Sequence, residues 1–194
     1  MKRVLLFFII LIFFGFTYAE YANNTFVLIK PESKLVIHGK TNVNKFNCAY
    51  NVLTLQDPIP VYFELKGNRM VFKKTQLVLN NSCFSCGNKV MNKDFLKLLN
   101  SETYPNIIIT LNEVESYAEN DNIIQANVDI EIAGVVNSYT FPMQVNMYDT
   151  MQISGILDVN ICDFNMKPPK KALGLVVVNE IIQIDFALQI KNQS

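Results

Sequence analysis

Cys83 and Cys86, in the run Cys83-Phe84-Ser85-Cys86, are the side chains whose spacing most readily suggests chemistry. Thiolates two residues apart can form a reactive disulfide or share a soft metal ion. Neither use is completed by the rest of the chain. A tetrahedral zinc site wants a second close pair or histidines, and His38 is the single histidine. A thioredoxin-like pair opens a helix after a parallel strand, whereas Gly87-Asn88 follow here. His38 is also the sole base near neutral pH, and no neighbouring sequence marks it as part of a triad. Asp94, Asp158, Asp163 and Asp185 are scattered and mostly alternate onto wetted faces. Lys170 and Lys171, after Pro168-Pro169, carry the charge to attract an anionic head group at a pocket mouth, and equally the character of ordinary soluble surface. These residues predict a protein that is not an enzyme and holds neither a metal nor a cofactor.

The elements that would position such groups begin behind a leader. Lys2 and Arg3 precede an apolar run from Val4 to Phe16, followed by Thr17-Tyr18-Ala19. That is the layout of a secretory signal cleaved near Ala19. A retained anchor is the competing reading, but the run falls short of the roughly 18 to 20 residues that span a bilayer. Residues 20–194 then form a soluble, exported domain with no stable membrane anchor. Losing two of the 17 basic residues leaves 15 against 17 acidic ones, a net charge of −2. That balance disfavours nucleic-acid binding. No Pro/Gly/Ser-rich linker, repeat or charge block divides the mature chain, so one domain is expected. Export to an oxidising compartment favours structural disulfides among Cys48, Cys83, Cys86 and Cys162, for which three pairings exist.

Period-two alternation dominates what remains. Strands are predicted at Phe26–Ile29, Lys34–His38, Asn44–Asn51, Val61–Lys66, Met70–Asn80, Ile107–Ser116, Ile123–Ala133, Ser138–Tyr148, Met151–Cys162 and Glu180–Lys191. Met91, Phe95, Leu98 and Leu99 recur at helical spacing, predicting one helix over Met91–Asn100 that ends before Tyr104-Pro105. Eight to ten antiparallel strands with a single short helix must hide both sheet edges and one apolar face, and a closed barrel does both. The inward set includes Ile124, Ala126, Val128, Ile130 and Ile132, then Phe141, Met143, Val145 and Met147, and Val61, Phe63 and Leu65. A barrel of this size is either filled by side chains or leaves room for one small ligand. Periodicity leaves both open.

Three stretches together resemble the YceI-like family. Val90-Met91-Asn92-Lys93-Asp94-Phe95-Leu96-Lys97-Leu98-Leu99 with Tyr104-Pro105-Asn106-Ile107 is similar to its helix and following strand. Ile130-Glu131-Ile132-Ala133-Gly134-Val135 with Thr140-Phe141-Pro142-Met143 is similar to its strand, turn and strand. Cys162-Asp163-Phe164-Asn165-Met166-Lys167-Pro168-Pro169, Leu173-Gly174-Leu175 and Glu180-Ile181 resemble its closing segment. The family's Asp-x-x-His-Ser opening is absent, and Ser33–Gly39 with Asn42–Cys48 marks a divergent branch.

The resemblance implies an all-β, extended antiparallel eight-stranded barrel of lipocalin-like shape, exported to the periplasm, holding a long apolar chain such as a polyisoprenoid without catalysis. It also implies a Cys48–Cys86 disulfide, which leaves Cys83 and Cys162 as candidates for a second. Lumen walls are expected at Val128, Ile130, Phe141, Met143, Val145, Leu157, Val159, Ile184, Phe186 and Leu188. Two other readings compete. A filled barrel would act through outer-face apolar residues such as Tyr62, Tyr148 and Ile156, and a redox or metal site would rest on Cys83 and Cys86.

Overall fold

In the computed structural model, residues 23–116 and 122–193 are described, so the leader expected at residues 1–19 lies outside them. The alternating runs become β1 (Asn23–Ile29), β2 (Lys34–Lys40), β3 (Lys45–Tyr50), β4 (Ile59–Lys66), β5 (Arg69–Asn80) and a short β6 (Phe84–Ser85). After helix α1 (Lys89–Leu98) come β7 (Asn106–Ser116), β8 (Ile123–Ile132), β9 (Val135–Met147) and β10 (Met151–Asn160). The small ladder β11 (Lys170–Lys171) and β12 (Val176–Val177) precedes the final β13 (Ile181–Gln193). The helix starts two residues before its predicted position because the Asn88 side chain accepts a hydrogen bond from Met91 N at 3.0 Å, capping the first turn.

Antiparallel pairing runs β1-β4-β5-β7-β8-β9-β10-β13, and β13 returns to β1, closing an eight-strand ring. Closure leaves those eight strands without a free edge. The last strand serves two partners on that side: Ile190–Gln193 pair with β1, and Gln183–Ala187 with β2. From β2 the sheet continues through β3 to β6, forming a flap beside α1. One end of the barrel therefore carries the β4–β5 and β9–β10 hairpins, and the other carries the flap and the helix. The β8–β9 turn at the helix end puts Ala133 and Gly134 at φ of 51° and 78°, the two-residue turn that matches strand twist.

Register assigns the faces. Ala126, Val128, Ile130 and Ile132 on β8 point inward and are buried, as the alternation predicts. Two bulges interrupt the period elsewhere: pairing slips between Val71 and Thr75, where Lys74 has φ 55°, and between Leu111 and Glu113 on the facing strand. Each swaps the faces beyond it. Three expectations about burial need correction at the hairpin end. Met147 and Leu65 have inward register but are exposed, since each stands at the rim. Glu64, placed on the wetted outer face, is buried under Lys73 and Lys66, with which it forms ion pairs. Contact with Lys73 holds its carboxyl below the usual glutamate range.

Candidate functional site

The lumen has three layers along the barrel axis. At the helix end is a small, largely enclosed cavity of about 70 Å³ lined by apolar side chains. Leu35 and Ile37 of β2, Phe46 of β3, Leu79 of β5, Phe95 and Leu98 of α1, and Ile130, Ile182 and Ile184 of the barrel contribute to it, with Ile161 and Met166 from the segment after β10. Seventy cubic ångströms is far below the roughly 300–1,000 Å³ of a typical ligand pocket. Nothing polar lines it to hold water.

Above it lies a layer, termed the waist, in which aromatic rings meet over β10. Gly155 lacks the side chain that would collide with Phe186: a Cβ there would lie 2.8 Å from the ring. Phe186 therefore crosses Gly155 and meets Phe141 edge-on, ring centroids 6.1 Å apart. Toward the hairpin end the situation changes. Phe63, Phe72, Val114, Ile124, Val145, Ile153, Leu188 and Ile190 all have inward register, yet each is only half-buried. In this upper half, termed the well, the inward apolar side chains are less completely buried than those of the layer below.

The ten predicted wall residues fall across these layers. Ile130 and Ile184 border the enclosed cavity. Val128, Leu157 and Val159 are buried in the packed layer beside it, and Phe141, Met143 and Phe186 form the waist. Val145 and Leu188 face the well. Sequence reasoning missed the contributions of β2, β3 and the segment carrying Ile161 and Met166. Phe95 and Leu98 had a visible cue in their helical spacing.

One wall is not built from strands. Pairing between β9 and β10 stops at Met143 and Gly155, next to Pro142, which has no N–H to extend a ladder. Below that point residues 161–166 fill the seam. Asn137 Nδ2 donates to the Asp163 carbonyl at 2.7 Å, Tyr139 donates its hydroxyl to Asp163 Oδ2 at 3.1 Å, and its ring stacks on the buried Phe164. Burial, then the hydrogen bond and charge of Asp163, push the Tyr139 phenol up to about 12. Between its ordinary value of 10.0 and about 12, the native state keeps a proton that the unfolded chain has lost, so stability is full below that window and falls as pH rises through it. Tyr139→Phe removes this component. Urea midpoints measured from pH 9 to pH 12 should decline less steeply in the variant, and identical slopes would show that the seam contributes nothing.

Residues 66–190 match the family model described as YceI-like domain. The chain belongs to the YceI-like family. No curated protein matches it. Among solved structures, it is similar to BcnA of Burkholderia cenocepacia, at TM-score 0.63 and 18% identity over 82% of this chain and 96% of that one. A polyisoprenoid-binding domain from Saccharophagus degradans gives TM-score 0.62 and 13% identity over 88% and 100%. The YceI protein of Campylobacter jejuni gives 0.54 and 13% over 69% and 80%. At such identities the likeness shows the barrel fold.

Within this YceI-like barrel the cysteines form the expected first bridge but not the candidate second one. Cys48 of β3 is bonded to Cys86, both buried, as the resemblance implied. The second pair does not form: Cys83 and Cys162 are free. Cys83 lies beside Tyr50 near the flap, whereas Cys162 follows β10, where partial desolvation and the carboxylates of Glu180 and Asp163 push its thiol up. Cys86 is committed to Cys48, so the Cys83-x-x-Cys86 spacing describes no pair. His38 does acquire partners, invisible in its local sequence. Its Nδ1 lies 2.8 Å from Asn47 Oδ1 and its Nε2 3.6 Å from Asp185 Oδ2, on the outer face. Among the described residues no hydroxyl or thiol is hydrogen-bonded to it. Tyr62, Tyr148 and Ile156 are exposed but sit on β4, on the β9–β10 hairpin and on β10, so they do not gather into one patch.

Proposed function

We propose that this YceI-like barrel is a non-catalytic lipid-binding protein that carries a long apolar chain of polyisoprenoid type in its lumen, after export to the periplasm and removal of residues 1–19. The observation that carries the reading is the well: inward-facing apolar side chains in a closed ring, only partly buried above the Phe141–Phe186 waist. Each methylene moved there from water contributes about 0.8 kcal/mol, so a long chain binds without directional contacts. The polyisoprenoid-binding domain of S. degradans, built on the same fold, supports that ligand class. Well length and width would then select among chains, and the waist would set how deep one reaches. The partner is an apolar lipid, and no other cofactor is needed.

Organic extracts of gently purified protein, expressed with its leader in a bacterial host and analysed by mass spectrometry against a mock purification, test this reading. A stoichiometric polyprenyl or related long-chain species is expected. Reproducible absence from folded protein would overturn it in favour of a barrel that works through its outer surface.

A further inference from the structure

Two loops at the helix end present aliphatic side chains to water. Leu173 is 106% exposed, Leu175 75% and Val43 69%. Leu173 stands on a backbone that Ala172, Leu173 and Gly174 hold at φ of 50°, 58° and 92°. Left-handed conformations are uncommon for residues with a Cβ, and two in succession project the leucine outward instead of letting it fold onto the barrel. Val43 occupies the β2–β3 turn. These are not independent loose ends. Asn42 donates its amide to the Leu175 carbonyl at 2.8 Å and accepts from Val177 N at 3.0 Å, its backbone N–H donates to Val177 O at 3.1 Å, and Asn179 N donates to Lys40 O at 2.8 Å. The three aliphatic tips are thus carried by one hydrogen-bonded unit.

Exposed lysines flank those tips: Lys40 and Lys45 on either side of Val43, and Lys167, Lys170 and Lys171 before Leu173. Of the acids nearby, Asp94 of α1 is engaged by Lys171 at 2.8 Å and Asp163 by Tyr139, while Glu180 lies exposed beyond β12. Five lysines against these three acids leave this end net positive by two, on a chain whose basic and acidic residues balance at 17 each, and among the described residues Lys40, Lys45, Lys167 and Lys170 have no carboxylate in ion-pair contact. We propose that this end of the barrel docks on an anionic lipid bilayer, the lysines meeting phosphate head groups and Leu173, Leu175 and Val43 entering the interface. Isolated aliphatic points ringed by lysine suit that surface: head groups move laterally to meet point charges, and acyl chains close around each side chain. A protein partner would instead want a packed cluster with aromatic or arginine anchors, which these loops lack. The docking end is opposite the well, and the proposal does not depend on what the lumen holds.

The chain contains no tryptophan, so Leu173→Trp in the full chain gives a fluorophore at one place only. Its emission is expected to shift to the blue and to be quenched by brominated acyl chains on adding vesicles of phosphatidylglycerol and phosphatidylcholine at 3:7. Pure phosphatidylcholine should give little change. Leu65→Trp at the opposite rim is the orientation control and should not respond. Adding Lys167→Glu and Lys170→Glu to Leu173→Trp should weaken vesicle binding by roughly tenfold or more, as should 0.5 M salt. The proposal is overturned by a silent Leu173→Trp, by a response at Leu65→Trp alone, or by binding that ignores lipid charge and both lysines. It is equally overturned if the loop binds poly-glutamate and no vesicle, which would make the partner an acidic protein. Binding through the apolar leader leaves Leu173→Trp silent, so that outcome also counts against it.

Discussion

Joint replacement of Cys48 and Cys86 by alanine is expected to lower the melting temperature by roughly 8–16 °C. The bridge joins positions 38 residues apart, and removing the constraint it places on the unfolded chain costs about 4 kcal/mol in the chain-entropy account. The effect should be concentrated in the flap. Only Ala49–Ser85 and Tyr50–Phe84 pair β3 with β6, so little backbone hydrogen bonding holds the segment leading into α1. Phe84 also packs on Phe95 with centroids 5.2 Å apart, and loosening this corner exposes the floor of the enclosed cavity. Thermal melts followed by circular dichroism measure the loss, and intact mass before and after reduction should report a single bridge in the unaltered protein. Cys83→Ala with Cys162→Ala should leave the melt nearly unchanged. A shift below about 2 °C in the Cys48/Cys86 variant would show that the flap is held by packing alone.

How much of this was legible in the sequence depends on what each feature required. The face of β8 was readable because Ile124 to Ile132 alternates without a break, and local chemistry is enough to set it. The change of face across Lys74 was not, because a bulge belongs to the pairing of two strands and shows only when β7 is laid beside β5. Rim exposure of Met147 and burial of Glu64 likewise depend on where a strand ends and which lysines cover it. Ring closure by β1, and the seam filled by residues 161–166, rest on contacts between distant segments. Alternation identified apolar wall positions but could not stack them into layers, so Ile184 and Leu188 looked equivalent although one borders the enclosed cavity and the other the well. The Cys48–Cys86 bridge came from family resemblance, and the same resemblance gave no guide to Cys83 and Cys162. His38 looked isolated for a related reason: Asp185 lies on the last strand.

The layering separates loading from stability, and Val145→Trp is where the separation is sharpest. Val145 pairs with Ile153 and faces the well between the waist and the rim. Because it is only partly buried, an indole there should cost less than the roughly 1–3 kcal/mol that overfilling a packed core carries. It occupies the space of several ligand methylenes at about 0.8 kcal/mol each, so lipid affinity should fall by 2–3 kcal/mol, roughly a hundredfold. Leu157→Trp is a poor substitute for this test, because Leu157 lies in the packed layer and overfilling it typically costs about 1–3 kcal/mol, confounding loss of lipid with loss of fold. In Val145→Trp the new indole also reports on its surroundings, since the chain has no other. Lipid recovered per mole of protein should drop to the level of the mock purification while the circular dichroism spectrum and melt are kept, with emission characteristic of an apolar lumen. Undiminished lipid together with an indole in an apolar environment would mean that the well is apolar but is not where the ligand sits.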